Sequence, residues 1–93
     1  MIKYDFKNKL VLVTAASKGI GLAIASNFYK SGAMVAICSR NKETLDDAVK
    51  KISQEVGGRI EGYQCDLSQL DQLQQLIKDV EDTFSSSIDI FIN

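Results

Sequence analysis

The stretch from residue 10 to residue 25, LVLVTAASKGIGLAIA, constrains the fold more than any other part of the sequence. Its apolar, β-branched start at residues 10–13 predicts a buried strand, and the small residues at 14–21 predict a tight turn that leads directly into a helix. Backbone N–H groups at such a helix N-terminus have no partner within the helix, and the helix dipole favours an anion there. The stretch therefore predicts a site for a phosphate-bearing nucleotide.

The rest of the chain alternates strand and helix patterns that are joined by short loops. We predict strands over residues 10–13, 33–38, 59–64 and 88–92. We predict a first helix over residues 19–30, a second between the cap Asn41 and the glycines at 57 and 58, and a third from a capping box of Ser68 and Asp71 to Phe84. Such alternation is typical of an α/β fold with a parallel sheet and right-handed crossovers.

Each predicted helix has one apolar stripe that could face the sheet. The stripes comprise Ile20, Ile24 and Phe28 in the first helix, Leu45, Ala48, Val49, Ile52 and Val56 in the second, and Leu70, Leu73, Ile77, Val80 and Phe84 in the third. In the third strand, Ile60 is predicted to face the core, with Tyr63 as a second candidate. The 3-4-3-4 spacing of the third stripe also fits a coiled coil, but two heptads are few and the flanking strands favour packing on a sheet.

The composition argues against several classes of function. A formal net charge of −1 gives no basic surface for nucleic acid, and the apolar runs are too short to cross a membrane. The N-terminal residues lack the apolar region of a signal peptide, so we expect a cytoplasmic protein. Cys38 and Cys65 are the only cysteines and histidine is absent, so we predict two reduced thiols, no metal site and no Ser-His-Asp catalysis.

The turn after the first strand resembles the phosphate motif of the short-chain dehydrogenase/reductase family, Thr-Gly-x-x-x-Gly-x-Gly. The matching residues are Thr14, Ala15, Ala16, Ser17, Lys18, Gly19, Ile20 and Gly21. Ala15 stands where the family usually has glycine, and its methyl group crowds the adenosine side of the turn slightly. The resemblance implies a Rossmann-type, doubly wound parallel sheet, and 3-oxoacyl-carrier-protein reductases look like the nearest subgroup. A plain tight turn without a ligand is the alternative, but it does not require so many small and hydroxylated residues.

The end of the second strand indicates which dinucleotide the resemblance implies. A site for the 2′-hydroxyl form normally carries Asp or Glu about 20 residues after the glycines. Here Ser39, Arg40 and Asn41 stand at that point, with Arg40 nineteen residues after Gly21. Together with Lys18, Arg40 forms a basic pair that in the family looks like an NADP(H) signature, since a guanidinium can bond a 2′-phosphate. For either residue, the alternative is a charge that only contacts solvent.

Two further features fall in register with the family. Asp66 and Leu67 match an Asp-Leu/Val pair after the third strand, whose acid hydrogen-bonds the adenine amino group. The alternative is an acid that simply favours the dipole of the third helix. Asn93 matches the first asparagine of a turn that lies beside the cofactor ribose.

The catalytic residues of the family have no counterpart in this sequence. In the family a tyrosine four residues before a lysine supplies the proton, and Tyr4, Tyr29 and Tyr63 have no lysine at that spacing.

The resemblance implies the NADP(H)-binding part of a longer oxidoreductase that transfers hydride between NADP(H) and a small carbonyl or alcohol substrate. A non-catalytic dinucleotide-binding module is the alternative. A methyltransferase that uses S-adenosylmethionine shares the layout but would require an acid where Arg40 stands.

The strand order we expect is 3-2-1-4, with helices one and two on one face and helix three on the other. One helix cannot cover a four-strand face, and strand four presents an apolar edge at residues 88–92. We therefore expect an incomplete domain that forms a homo-oligomer in its longer form. As an isolated chain of 93 residues, it would oligomerise, aggregate or be partly molten.

Overall fold

Strands and helices alternate along the chain, as the sequence predicts. The structure is a computed structural model that describes residues 5–14 and 19–93, and all statements below refer to them. The elements are β1 (Leu10–Thr14), α1 (Gly19–Lys30), β2 (Met34–Ser39), α2 (Lys42–Ser53), β3 (Arg59–Gln64), α3 (Leu70–Phe84) and β4 (Ile90–Ile92). Within this part of the chain, no helix is both long and apolar enough to cross a membrane.

The four strands form one parallel sheet in the order β3-β2-β1-β4, which confirms the predicted topology. Strand β1 lies in the centre, where Leu10 pairs with Met34 of β2 and Val11 pairs with Ile90 of β4. Because all strands run the same way, their carboxyl ends meet at one edge of the sheet, where ligands bind in open α/β folds.

Helices cover both faces of the sheet, and their arrangement matches the prediction. On one face, α1 and α2 bury a core of Val11, Val13, Ala25, Tyr29, Ala33, Val35, Ile37, Leu45, Ala48, Ile52 and Ile60. On the other face, α3 buries Leu10, Leu12, Ala36, Cys38, Cys65, Leu76, Val80 and Phe84. Ile60 faces the first core as predicted, whereas the partly buried Tyr63 packs against the second. Both cysteines are buried, and burial raises the pKa of the Cys65 thiol.

Helix α2 starts as predicted but ends earlier. The side-chain oxygen of Asn41 accepts a hydrogen bond from the Thr44 N–H at 3.1 Å, which confirms the cap. The helix stops at Ser53, and Val56 is 94% exposed, so its place in the apolar stripe was predicted wrongly. The segment after Ser53 is held instead by Tyr29, whose hydroxyl donates to the Glu55 carbonyl at 2.9 Å.

Close packing of α2 on β3 depends on a residue without a side chain. A Cβ atom at Gly62 would lie 2.8 Å from the Val49 Cγ2 atom, which is closer than such contacts normally come. The absence of a side chain at Gly62 therefore allows α2 to approach the edge strand of the sheet.

Helix α3 corrects two predictions. Its N-cap is Gln69, which makes no side-chain capping bond, and Ser68 binds the Asp66 carboxylate instead of forming a capping box with Asp71. Its buried stripe is Leu76, Val80 and Phe84, while Leu70 is 70% exposed. Ile77 is partly buried against the same core, so the later part of the predicted stripe holds and the stripe fails only at its exposed start.

The first turn of α1 and the start of β4 also differ from the predictions. Ile20 is 80% exposed, whereas Ile24 and Phe28 of the predicted stripe pack against the core that Ala25 and Tyr29 enter. Strand β4 begins at Ile90, two residues later than predicted, since the Ile88 N–H donates to the Glu81 carboxylate at 2.8 Å rather than to a strand. Strands β1 and β2 each extend one residue beyond the predicted end.

Candidate cofactor site

The carboxyl edge of the sheet brings together most of the residues that the sequence singles out. Strand β1 ends at Thr14, β2 at Ser39, β3 at Gln64 and β4 at Ile92. Arg40, Asp66 and Asn93 follow the last three of these strands within one or two residues. The predicted turn residues Ala15, Ala16, Ser17 and Lys18 lie outside the described residues.

The start of α1 combines a glycine in the left-handed conformation with the positive end of a helix dipole. Gly19 has a φ of +68°, a left-handed value that disfavours any residue with a Cβ atom. Nothing among the described residues lies within 4 Å of the point where that Cβ would be, so with respect to these residues glycine is needed for its conformation and not to avoid a clash. The first helical turn, which includes Ile20 and Gly21, contains no acidic residue, so no local carboxylate offsets the positive end of the dipole.

Thr14 and Asn93 connect the ends of β1 and β4. Thr14 is buried, and its hydroxyl lies 2.9 Å from the Asn93 Oδ1 atom and 3.3 Å from the Ile92 carbonyl oxygen. Asn93 itself is exposed, and the 2.9 Å contact uses its side-chain oxygen, so that with respect to the described residues its amide nitrogen remains a donor. The pair therefore offers an ordered side-chain donor at the centre of the carboxyl edge.

The loop that follows β2 contains only Arg40 and Asn41. The Asn41 N–H donates to the Ser39 hydroxyl at 3.3 Å, and the Asn41 side chain caps α2. Arg40 is exposed, and its guanidinium forms no ion pair within 4.0 Å among the described residues. The loop thus combines backbone and capping hydrogen bonds with an exposed cation.

Asp66 is held by local hydrogen bonds at the end of β3. Its Oδ1 atom accepts from the Ser68 hydroxyl at 2.7 Å and from the Ser68 N–H at 3.0 Å. These bonds, with a smaller contribution from the charge of Arg40, lower the pKa of the Asp66 carboxyl. Leu67 is partly buried and packs against the core beneath α3. The ionised carboxylate is therefore held through Oδ1, and no hydrogen bond from the described residues occupies Oδ2.

Two glutamines at this edge were missed by the sequence analysis. Gln64 donates from its Nε2 atom to the Arg40 carbonyl at 3.1 Å, and Gln72 of α3 accepts from the Asp66 N–H at 2.9 Å. Together with Arg40, Cys65 and Asp66, they line an open cavity of about 340 Å³. A polar residue at the last position of β3, beside the end of β2, is the signal that could have identified Gln64.

The comparisons with known proteins identify the family. The family model described as short chain dehydrogenase matches residues 9–93. The chain belongs to this family.

Similar proteins cover nearly all of this chain. A tropinone reductase homologue from Arabidopsis thaliana is 36% identical over 91 residues, which is 98% of this chain and 34% of that protein. A short-chain dehydrogenase structure from Mycobacterium smegmatis superposes with a TM-score of 0.89 at 28% identity, covering 100% of this chain and 40% of that one. L-sorbose reductase from Gluconobacter frateurii, solved with NADPH and L-sorbose, has a TM-score of 0.89 at 27% identity. The match covers 99% of this chain and 35% of that one.

The chain thus spans between 34% and 40% of the length of these three short-chain dehydrogenase relatives. Their names do not single out the 3-oxoacyl-carrier-protein reductases, so particular nearness to that subgroup stays a prediction.

Proposed function

We propose that this chain is the NADP(H)-binding part of a longer, single-domain short-chain oxidoreductase that transfers hydride between NADP(H) and a carbonyl or alcohol substrate. The proposed cofactor-binding residues are Thr14, Ala15, Ala16, Ser17, Lys18, Gly19, Ile20, Gly21, Ser39, Arg40, Asn41, Asp66, Leu67 and Asn93. The observation that carries the proposal is the exposed Arg40 at the end of β2, where a site for NAD(H) would have a carboxylate.

The residues of the carboxyl edge fit the parts of such a cofactor. The start of α1 suits the pyrophosphate, because the N–H groups of a first helical turn have no partner within the helix and the dipole there favours an anion, with no acidic residue in that turn to oppose it. Asp66 can accept a hydrogen bond from the adenine amino group through Oδ2, and Asn93 can donate to the ribose. Arg40 and Ser39 suit the 2′-phosphate, since a guanidinium forms charge-assisted and bidentate bonds to phosphate oxygens.

The role of this chain is to bind and orient, and the bound nicotinamide supplies or accepts hydride. Proton donation to the substrate is assigned to residues outside this chain, since none of Tyr4, Tyr29 and Tyr63 precedes a lysine by four positions. Tyr29 lies near the C-terminal end of α1, and its hydroxyl already donates a hydrogen bond to the Glu55 carbonyl. The predicted phosphate turn precedes the other end of this helix. The solved relative that carries NADPH supports the assignment of this cofactor class.

Replacement of Arg40 tests the proposal. We expect Arg40→Ala to weaken NADPH binding by about 1.5–3 kcal/mol, the range for hydrogen bonds to charged groups, and to change NADH binding little. Titration calorimetry with both dinucleotides measures the two effects. Lys42→Ala is the matched control, because it removes a positive charge two positions away whose partner is Asp46 at 3.4 Å. Equal losses of affinity for NADPH and NADH in Arg40→Ala would contradict the proposal.

A further inference from the structure

The backbone around Arg40 is bonded on both sides. Before it, the Ser39 carbonyl accepts from the Cys65 N–H at 3.0 Å, which continues the pairing of β2 with β3 by one residue. After it, Asn41 is fixed as the cap of α2, where its carbonyl also accepts from the Leu45 N–H at 3.0 Å. The direction in which the Arg40 side chain leaves the loop therefore depends on the peptide group between Arg40 and Asn41.

Gln64 fixes that peptide group from the neighbouring strand. Its Nε2 atom donates to the Arg40 carbonyl at 3.1 Å, and its own backbone pairs in register with Ser39. A side chain of β3 therefore holds the loop that follows β2. Its bond lies on the carbonyl of the residue whose guanidinium is proposed to recognise the phosphate.

We propose that Gln64 is a positioning residue for the 2′-phosphate: it holds the Arg40 carbonyl so that the guanidinium points where the phosphate binds. The inference rests on the proposed function of Arg40. An arginine whose backbone is fixed before binding loses less conformational freedom when it bonds a ligand, which favours affinity. Gln64 thereby acts on the choice between NADPH and NADH, although it need not touch either.

Asp66 supplies the reason why such positioning matters. Its carboxylate attracts the Arg40 guanidinium, and both side chains line the same cavity of about 340 Å³. In a loop without the Gln64 bond, the guanidinium can turn toward this carboxylate and away from a phosphate. The Gln64 bond restricts that alternative.

The test compares the dissociation constants of NADPH and NADH for four forms of the full chain: wild type, Gln64→Leu, Gln64→Glu and Arg40→Ala. We expect Gln64→Leu to weaken NADPH binding about two- to ten-fold, the effect of one lost hydrogen bond, and to leave NADH binding within about two-fold. Gln64→Glu should weaken NADPH binding further, because its carboxylate repels both the Arg40 carbonyl and a phosphate. Gln75→Leu is the matched control, since the Gln75 side chain bonds along α3, to Asp79 at 2.8 Å.

The ratio of the NADPH affinity to the NADH affinity distinguishes a positioning role of Gln64 from a general effect of its replacement on the fold. A loss of fold in a Gln64 variant lowers binding of both dinucleotides equally, and that result would overturn the inference, as would an unchanged ratio. If Arg40→Ala lowers the ratio and the Gln64 variants do not, the proposed function stands and the role of Gln64 is wrong. If Arg40→Ala leaves the ratio unchanged, the assignment of the 2′-phosphate to Arg40 fails, and the role of Gln64 fails with it.

Discussion

Thr14 and Asn93 lie 79 positions apart in sequence, and the Thr14 hydroxyl donates to the Asn93 side chain over 2.9 Å. This bond joins the ends of the central strand and an edge strand at the carboxyl edge of the sheet. It also orients Asn93, which is proposed to contact the ribose. The Asn93 side chain therefore takes part both in the bond to Thr14 and in the proposed contact with the ribose.

We expect Thr14→Val to lower the free energy of unfolding by about 0.5–1.5 kcal/mol, the net value of one hydrogen bond, since valine keeps the shape and the strand preference of threonine. Urea denaturation followed by circular dichroism measures the change. The control is Ser31→Ala, which removes an exposed bond to the Asn27 carbonyl and should change stability by less than about 0.5 kcal/mol. An equal effect of both substitutions would show that the Thr14–Asn93 bond adds nothing of its own.

The Asp66 carboxyl makes a pH-dependent contribution to stability. Its pKa is lowered in the folded protein, chiefly by the Ser68 hydroxyl, next by the Ser68 N–H, and less by the charge of Arg40. A depressed folded pKa means that the contribution is fully present above the unfolded value near 3.8 and is lost as the pH falls through the folded value.

We therefore expect Ser68→Ala to raise the pKa of Asp66 toward its ordinary value, as followed by the chemical shift of its carboxyl carbon. The stability difference between wild type and Ser68→Ala should shrink once the pH falls below the folded pKa. Thr44→Val serves as a control, because it removes a hydroxyl that bonds the Asn41 carbonyl and should not change the titration of Asp66. An unchanged pKa in Ser68→Ala would refute the assignment of the shift to this hydroxyl.

The apolar edge strand predicts self-association of this chain. Within the described residues β4 pairs only with β1, and Phe91 is 46% exposed. We expect sedimentation analysis to show oligomers or aggregates of the wild type and a shift toward monomer in Phe91→Thr. Val56→Thr is the control, since Val56 is 94% exposed but lies outside the sheet. A wild type that sediments as a monomer at the same concentrations would contradict this expectation.

The order and direction of the strands were predictable because each followed from a local pattern and a general rule of chain connection. The run at residues 10–13 indicated a central buried strand, and β1 is fully buried. Boundaries set by tertiary contacts were not predictable in the same way. Val56 lies outside α2 because the Glu55 carbonyl accepts a hydrogen bond from Tyr29. Ile88 lies outside β4 because its N–H donates to the Glu81 carboxylate.

In the candidate site, too, the topology was predictable and the individual hydrogen bonds were not. The parallel topology alone places Thr14, Arg40, Asp66 and Asn93 at one edge, so the sequence could indicate their proximity. It could not indicate that Ser68 bonds Asp66 instead of capping α3, because both arrangements satisfy the same hydroxyl. Nor could it indicate the Gln64 bond to the Arg40 loop, which depends on the register between β2 and β3.

Binding of NADPH and NADH to the wild-type chain, measured side by side by titration calorimetry, tests the central claim most directly. If Arg40 contributes about 1.5–3 kcal/mol through the 2′-phosphate, NADPH should bind roughly 10- to 150-fold more tightly than NADH. Equal affinities, tighter binding of NADH, or binding of neither dinucleotide would contradict the account.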